Sequence, residues 1–240
     1  MKLIMPCSEC IETDGFKDDT ILFIEIEDGS YYEITCLRGH SRAAILTTRK
    51  FEILFEFGAM ALLDGYPREA VSSFAVALER FYEYWVKAHL LHAQVAPAEL
   101  DAAWKQVSAQ SERQLGAFSL LYIREYYTPA PMLPQRVTEF RNKVIHKGYI
   151  PTRAEAVSYG DQVLQHMANL HKELYKSRYA GLSKLDGIEL GRAASRAPDP
   201  KKVSTMSVAT VFSEAASDAG TTLEKALGKL ESRMARIYQR

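Results

Sequence analysis

The chain has 240 residues, 47% of them apolar and 25% charged, with 30 basic side chains balancing 30 acidic ones. That is enough for one ordinary domain plus a small module, with a sizeable core. The charge balance excludes a general nucleic-acid coat, so any RNA contact must come from a local patch. No apolar run reaches membrane-spanning length, because Glu52 and Glu56 interrupt the longest one. The N-terminus offers one Lys and a very short apolar patch before Pro6 and Cys7, which is no signal peptide. The expected location is cytoplasmic, with no membrane partner.

Residues 1–48 read as a small β module. Thr20 to Glu27 alternates Ile21, Phe23 and Glu25 against Leu22, Ile24 and Ile26. Asp28-Gly29-Ser30 is a hairpin turn signal, Tyr31 to Cys36 returns as a second strand, and Arg42 to Thr47 forms a third. The module is acidic, with nine Asp/Glu against two Lys in residues 1–36, a net of −7. It also holds every cysteine of the chain. Cys7-x-x-Cys10 and Cys36-x-x-x-His40 are two knuckle-like pairs, and such gaps let both members of a pair point at one ion. An odd cysteine count with a C-x-x-C pair argues for a metal or redox role rather than a disulfide scaffold. Three thiolates, a neutral imidazole and Zn²⁺ total −1, an acceptable closed structural site. The module resembles a zinc ribbon, with one ligand pair on each side of a β-hairpin. A closed site has no open position for catalysis, so its role is folding.

Helical periodicity takes over in residues 49–180. Thr48 caps a helix over Lys50 to Leu63, apolar almost all round and stopped by Gly65, as suits a central helix. Pro67 opens a long helix to His92, with Val71, Phe74, Leu78, Phe81 and Trp85 as a core stripe. Pro97 opens a short helix carrying Leu100, Trp104 and Val107. Ser111 with Gln114 makes a capping box for the next helix, which carries Leu115, Phe118, Leu121 and Tyr122. A three-proline loop, Thr128 to Pro134, leads to a helix over Gln135–Lys147, ended by Gly148. Thr152 with Glu155 boxes a helix running to Arg178, with Val163, Met167, Leu170 and Leu174 inward. Residues 181–240 read as an aperiodic linker, Gly181 to Lys202, and a C-terminal amphipathic helix. Thr221 and Glu224 cap that helix, and Leu223, Leu227, Leu230, Met234 and Ile237 form its stripe.

Within the helix over Gln135–Lys147 lies Arg141-Asn142-Lys143-Val144-Ile145-His146. At about 100° per residue, Val137, Phe140 and Val144 face the core and Arg141 lies at the stripe's edge. Asn142 and His146 share a polar face. An Arg, a neighbouring amide and a His suit metal-free RNA cleavage. His146 can take a proton from a ribose 2′-OH, Arg141 can hold the charge that builds on the phosphate, and Asn142 can orient either partner. His146 and Lys147 before Gly148 also suit a helix C-terminus with no catalysis. Glu79 and Glu83, flanking Arg80 on the second helix, read as surface charge or as a support for the Arg. His89, His92, His166 and His171 read as solvated or core residues.

The R-N-x-x-x-H segment in helical surroundings resembles the signature of the HEPN superfamily. The resemblance covers residues 50–180. It implies a mainly α, HEPN-like helical bundle that dimerises so that two copies of the motif form one cleft. It also implies an endoribonuclease leaving 2′,3′-cyclic phosphate ends, in toxin or antiviral defence, with RNA as substrate. Because a freely active ribonuclease would harm its own cell, a trigger or a restraining protein partner is expected. One toxin branch of the superfamily carries a Tyr two residues after the His; here Tyr149 is three residues after. The alternative is a non-catalytic bundle of the same fold, acting as a dimerisation module whose ribbon docks a protein.

Overall fold

The structure is a computed structural model that describes residues 2–15, 21–197, 203–218 and 220–238. The chain is mainly α, with a small β region near its N-terminus. It divides into two compact units. One comprises Met1–Arg49, Asp186–Ala209 and Arg236–Arg240, and the other Lys50–Leu185 and Thr210–Ala235. Among the described residues, no helix is long and apolar enough to cross a membrane.

In the smaller unit, β1 (Lys2–Pro6) leads into helix α1 (Ser8–Asp14) and then β2 (Ile21–Glu25). β1 and β2 pair antiparallel, from Lys2↔Glu25 to Pro6↔Ile21. The hairpin expected across Asp28–Ser30 is not made. β3 (Tyr31–Thr35) pairs instead with β4 (Ser41–Leu46), in register Tyr31↔Ile45 to Thr35↔Ser41. The N-terminal strand supplies β2 with its neighbour, and the tight turn before Ser41 supplies β3 with another. Asp28–Ser30 is therefore a bend between two sheets. Thr20 lies outside the described residues. β5 (Val203–Met206) adds to β4 in parallel, Ala43↔Val203 to Leu46↔Met206. Tyr32, Ile34 and Cys36 alternate inward along β3 and its end, as the period of two requires. Thr48, ahead of α2, accepts the Val208 N–H on its hydroxyl at 2.8 Å.

The larger unit is a helical bundle. It contains α2 (Lys50–Leu63), α3 (Pro67–His92), α4 (Pro97–Val107), α5 (Ser111–Tyr126), α6 (Gln135–Lys147), the greater part of α7 (Arg153–Ala194), α8 (Val211–Ser217) and most of α9 (Leu223–Tyr238). Its core is aromatic. Phe51, Phe55, Phe74, Phe81, Trp85, Phe118 and Phe212 are fully buried, and Phe51 meets Phe81 and Phe212 edge-on at 5.1 Å in each case. α2 is buried on nearly every side, including both of its glutamates. Those carboxylates hold the C-terminal segment. Glu56 accepts the Val211 N–H at 2.8 Å and the Arg233 guanidinium at 3.1 Å, while Glu52 accepts the Thr210 hydroxyl at 3.3 Å. A buried carboxylate needs such partners, and the free N–H groups opening α8 provide one.

The expected linker from Gly181 is helical instead. α7 continues to Ala194, and Arg178 alone inside it leaves helical geometry (φ −133°, ψ 26°). Leu182, Leu185 and Ala193 are buried beyond that kink. Gly181 is not a breaker but a contact point, because a Cβ there would lie 2.1 Å from the Ala88 carbonyl oxygen of α3. Residues 198–202 of the expected linker lie outside the described residues.

Two capping boxes also differ. Ser111 lies inside α5, and Gln114 is buried, donating to the Ser108 carbonyl at 2.8 Å and accepting from Arg80 at 2.8 Å. At α9 the Lys225 N–H reaches Thr222 rather than Thr221, and Glu224 pairs with Arg153 at 3.1 Å. The Thr152–Glu155 box is formed in both directions, at 2.8 and 3.2 Å. Leu223, Leu227 and Leu230 of the C-terminal stripe are buried and Met234 is half-buried. The Ile237 side chain lies outside the described residues.

Candidate functional site

Two clusters carry chemistry, one in each unit. In the smaller unit Cys7, Cys10, Cys36 and His40 come together, their ligand atoms all within 4.8 Å of one another. The three cysteines are free and buried and His40 is half-buried. The first pair sits on a helix start: Cys7 is the N-cap of α1 and Cys10 lies in its first turn. The second pair brackets the β3–β4 turn. There the Cys36 N–H donates to the His40 carbonyl at 3.0 Å and the Gly39 N–H to the Cys36 carbonyl at 2.9 Å. Gly39 takes a left-handed φ of +83°, which this turn needs and a side chain would resist. One pair thus comes from a helix and one from a hairpin, not from the two flanks of a single ribbon hairpin.

Cys10 Sγ is 3.8 Å from Cys36 Sγ and 3.2 Å from His40 Nδ1, and Cys7 Sγ is 3.8 Å from the same nitrogen. Burial, with the Cys7 and Cys36 sulfurs beside it, pushes the Cys10 thiol up to about 12. At Cys36 burial acts in the same direction but is outweighed. The Arg38 and His40 N–H groups hydrogen-bond its sulfur and bring it down to about 7. Around the ligands, Glu9 lies 4.0 Å from His40 Nε2 and binds Arg42 at 2.6 Å. Four such donors, drawn inward without a disulfide, could hold a metal ion.

In the helical unit the cluster is built by α3 and α6. Val137 and Val144 bury one face of α6, and Phe140 sits 5.7 Å from the ring of Tyr159 on α7. This packing leaves Arg141 half-buried and His146 exposed. Five residues apart, their Cα atoms do not stack, but the long Arg side chain spans the gap. Arg141 Nη1 contacts Asn142 Oδ1 at 3.0 Å and His146 Nε2 at 3.3 Å, while Nη2 binds Glu79 Oε1 at 2.8 Å. Since Arg is always a donor, His146 Nε2 is the acceptor and Nδ1 carries the proton of the neutral ring. The predicted triad is therefore contiguous. Its fourth member, Glu79, is an acidic side chain whose partner lies 62 positions away. Glu83 takes the surface-charge role, pairing with Arg80 and, at 2.6 Å, with Lys87.

No family model, curated protein or solved structure matches the chain.

Two further histidines, His89 and His166, serve packing. His89 lies buried against Trp85, with Nδ1 3.0 Å from the Trp85 carbonyl and Nε2 3.2 Å from the Tyr126 hydroxyl. Burial lowers it to about 4. His166 meets the Tyr82 hydroxyl at 2.9 Å and is likewise lowered by burial to about 4. Both stay neutral at pH 7 inside the core. Tyr149 is occupied too: its hydroxyl donates to Glu155 at 2.9 Å and Lys143 Nζ lies 3.5 Å over its ring.

Proposed function

We propose that the helical unit is a HEPN-type, metal-independent endoribonuclease. The observation that carries this reading is the Arg141 guanidinium, which is anchored by Glu79 on one side and touches Asn142 and the unprotonated nitrogen of His146 on the other. An anchored guanidinium with N–H groups to spare is a bidentate phosphate clamp. A phosphate oxygen that takes Arg141 Nη1 releases His146 Nε2. That nitrogen then accepts the proton of the 2′-OH. The 2′-oxygen attacks phosphorus, the bond to the 5′-oxygen breaks, and a 2′,3′-cyclic phosphate remains. Arg141 offsets the charge that develops on the non-bridging oxygens. The 5′-oxygen leaves with a proton from a second imidazolium, supplied by His146 of another copy in a homodimer. The nucleophile is already in the substrate, so this step needs no metal. A protein partner restrains the activity in its toxin or defence setting, because unrestrained cleavage would harm the cell that makes it.

The smaller unit holds Zn²⁺ as a structural ion. Zinc binds sulfur at about 2.3 Å and imidazole at about 2.0–2.1 Å in tetrahedral sites. Such a tetrahedron has S···S edges of about 3.8 Å and S···N edges of about 3.5 Å. The observed 3.8 Å between sulfurs, and 3.2 and 3.8 Å from sulfur to nitrogen, bracket those edges.

The nuclease is tested by incubating the chain and its His146→Ala variant with mixed cellular RNA, with EDTA withholding free divalent ions. Fragments ending in 2′,3′-cyclic phosphate, formed about 10²–10⁴-fold more slowly by the variant, are expected. Equal fragment yields from both folded proteins would refute the assignment.

A further inference from the structure

Three sulfurs meet in the smaller unit, and all three cysteines are free. Cys10 Sγ and Cys36 Sγ lie 3.8 Å apart. They belong to different parts of the fold. Cys10 stands in the first turn of α1, and Cys36 follows β3, 26 positions along the chain. A disulfide bond is about 2.05 Å long, so these two sulfurs need to close by only about 1.8 Å. Small rotations about the two Cα–Cβ bonds supply that movement.

The cluster is not sealed. His40 is half-buried, and Cys36 keeps 5% of its surface where Cys10 keeps 0%. A small oxidant therefore meets Cys36 at the edge of the cluster, with Cys10 waiting directly behind it. A bond between these two joins the helix pair of donors to the hairpin pair. A bond between Cys7 and Cys10 would close only the start of α1.

We infer that the cluster is a site of reversible oxidation, at which a hydroperoxide converts Cys10 and Cys36 to a disulfide and the metal ion is released. The inference rests on the zinc reading above and gives that site a regulation. The Cys36 sulfur attacks the terminal oxygen of the hydroperoxide. The oxygen–oxygen bond breaks, an alcohol leaves (water, from hydrogen peroxide), and Cys36 becomes a sulfenic acid. The Cys10 sulfur then attacks the Cys36 sulfur, the S–S bond forms, and the oxygen departs as water. Two thiolates, one hydroperoxide and two protons from solvent thus give one disulfide, one alcohol and one water. Both electrons come from the sulfurs, and the ion keeps its charge. Cys7 and His40 remain as donors, two where a structural zinc site uses four. The disulfide then takes over the link between α1 and the end of β3, and a dithiol reverses it.

The test uses the full chain, reduced and loaded with zinc, treated with hydrogen peroxide beside a chromophoric chelator that reports free zinc. The bound zinc should be lost, free thiols should fall from three to one per chain, and peptide maps should show a Cys10–Cys36 linkage. Dithiothreitol with added zinc should restore the starting state. Cys36→His keeps four nitrogen or sulfur donors and so should still bind zinc, but peroxide should no longer release it. Release from this variant at the wild-type rate would overturn the inference. So would a linkage through Cys7, or zinc retained after the thiols are oxidised. The peptide map is read on the wild-type chain, so it decides the question even where the variant does not fold. The zinc reading fails separately. A reduced chain that takes up no zinc removes both the ion and its release. A chain that holds zinc but forms no Cys10–Cys36 disulfide keeps the structural ion and loses only the oxidation site.

Discussion

Cys10→Ser is the sharpest perturbation of the smaller unit. Cys10 is fully buried and its sulfur lies within 3.8 Å of both Cys36 and His40 ligand atoms. Serine keeps the size but removes a thiolate. A structural zinc site contributes about 10–16 kcal/mol of apparent binding free energy at neutral pH. An ordinary domain is stable by only about 5–15 kcal/mol in total. Losing such an ion is therefore comparable to all that holds a unit of this kind folded, and the variant's β1–β4 region should lose its structure rather than soften.

Two readouts separate this from general unfolding. Both tryptophans, Trp85 and Trp104, lie in helices of the larger unit. Their fluorescence therefore reports that unit alone. Hydrogen exchange over residues 2–15 and 21–46 reports the smaller unit. Wild-type protein should carry one zinc per chain, and cobalt exchanged into it should show the ligand-field bands of a tetrahedral thiolate site. Cys10→Ser should lose both the ion and the amide protection there. The reasoning is refuted if metal-free wild type, with all three thiols reactive, keeps full protection over those strands.

Two further predictions concern the helical unit. Burial outweighs the Val211 N–H and the Arg233 charge and raises Glu56 to about 7 from an ordinary 4.5. The folded state then binds more protons than the unfolded one, so stability present below pH 4.5 is lost as pH rises through 7. The full swing is about 3 kcal/mol. In melts from pH 5 to 8 the wild-type Tm should fall relative to Glu56→Gln, and parallel curves would show that Glu56 does not titrate in this window. Gly181→Ala places a Cβ 2.1 Å from the Ala88 carbonyl oxygen, a backbone atom that cannot swing aside. Overpacking of that kind costs about 1–3 kcal/mol, so Tm should drop by roughly 2–12 °C. An unchanged Tm would show that α7 does not press on α3 there.

The helices that were legible in the sequence are those whose ends are written locally. Pro67 and Pro97 open α3 and α4, and Gly148, at φ +69°, closes α6, because these residues fix backbone geometry wherever they stand. That the Cys/His quartet would come together was legible for a related reason, since short gaps within each pair leave few ways for its members to point. Strand partners were not. β2 and β3 each had a strand-like pattern, but pattern says which face is buried and not which neighbour is chosen. The nearest turn signal, Asp28–Ser30, was not the turn that paired them.

What escaped most completely was reciprocity between distant elements. Gly181 looks like a breaker until Ala88 is seen against it. Glu52 and Glu56 look like interruptions of an apolar helix until Thr210 and Val211 arrive to be hydrogen-bonded. In each case the residue's type is unfavourable for its own element and favourable for a partner that periodicity cannot name. That pattern also bears on the reading proposed for α6. A helix C-terminus satisfied by His146 and Lys147 requires nothing of Arg141, whereas a phosphate clamp requires a guanidinium held from behind. The Glu79 contact at 2.8 Å supplies that hold, and helix capping gives no reason for it to exist.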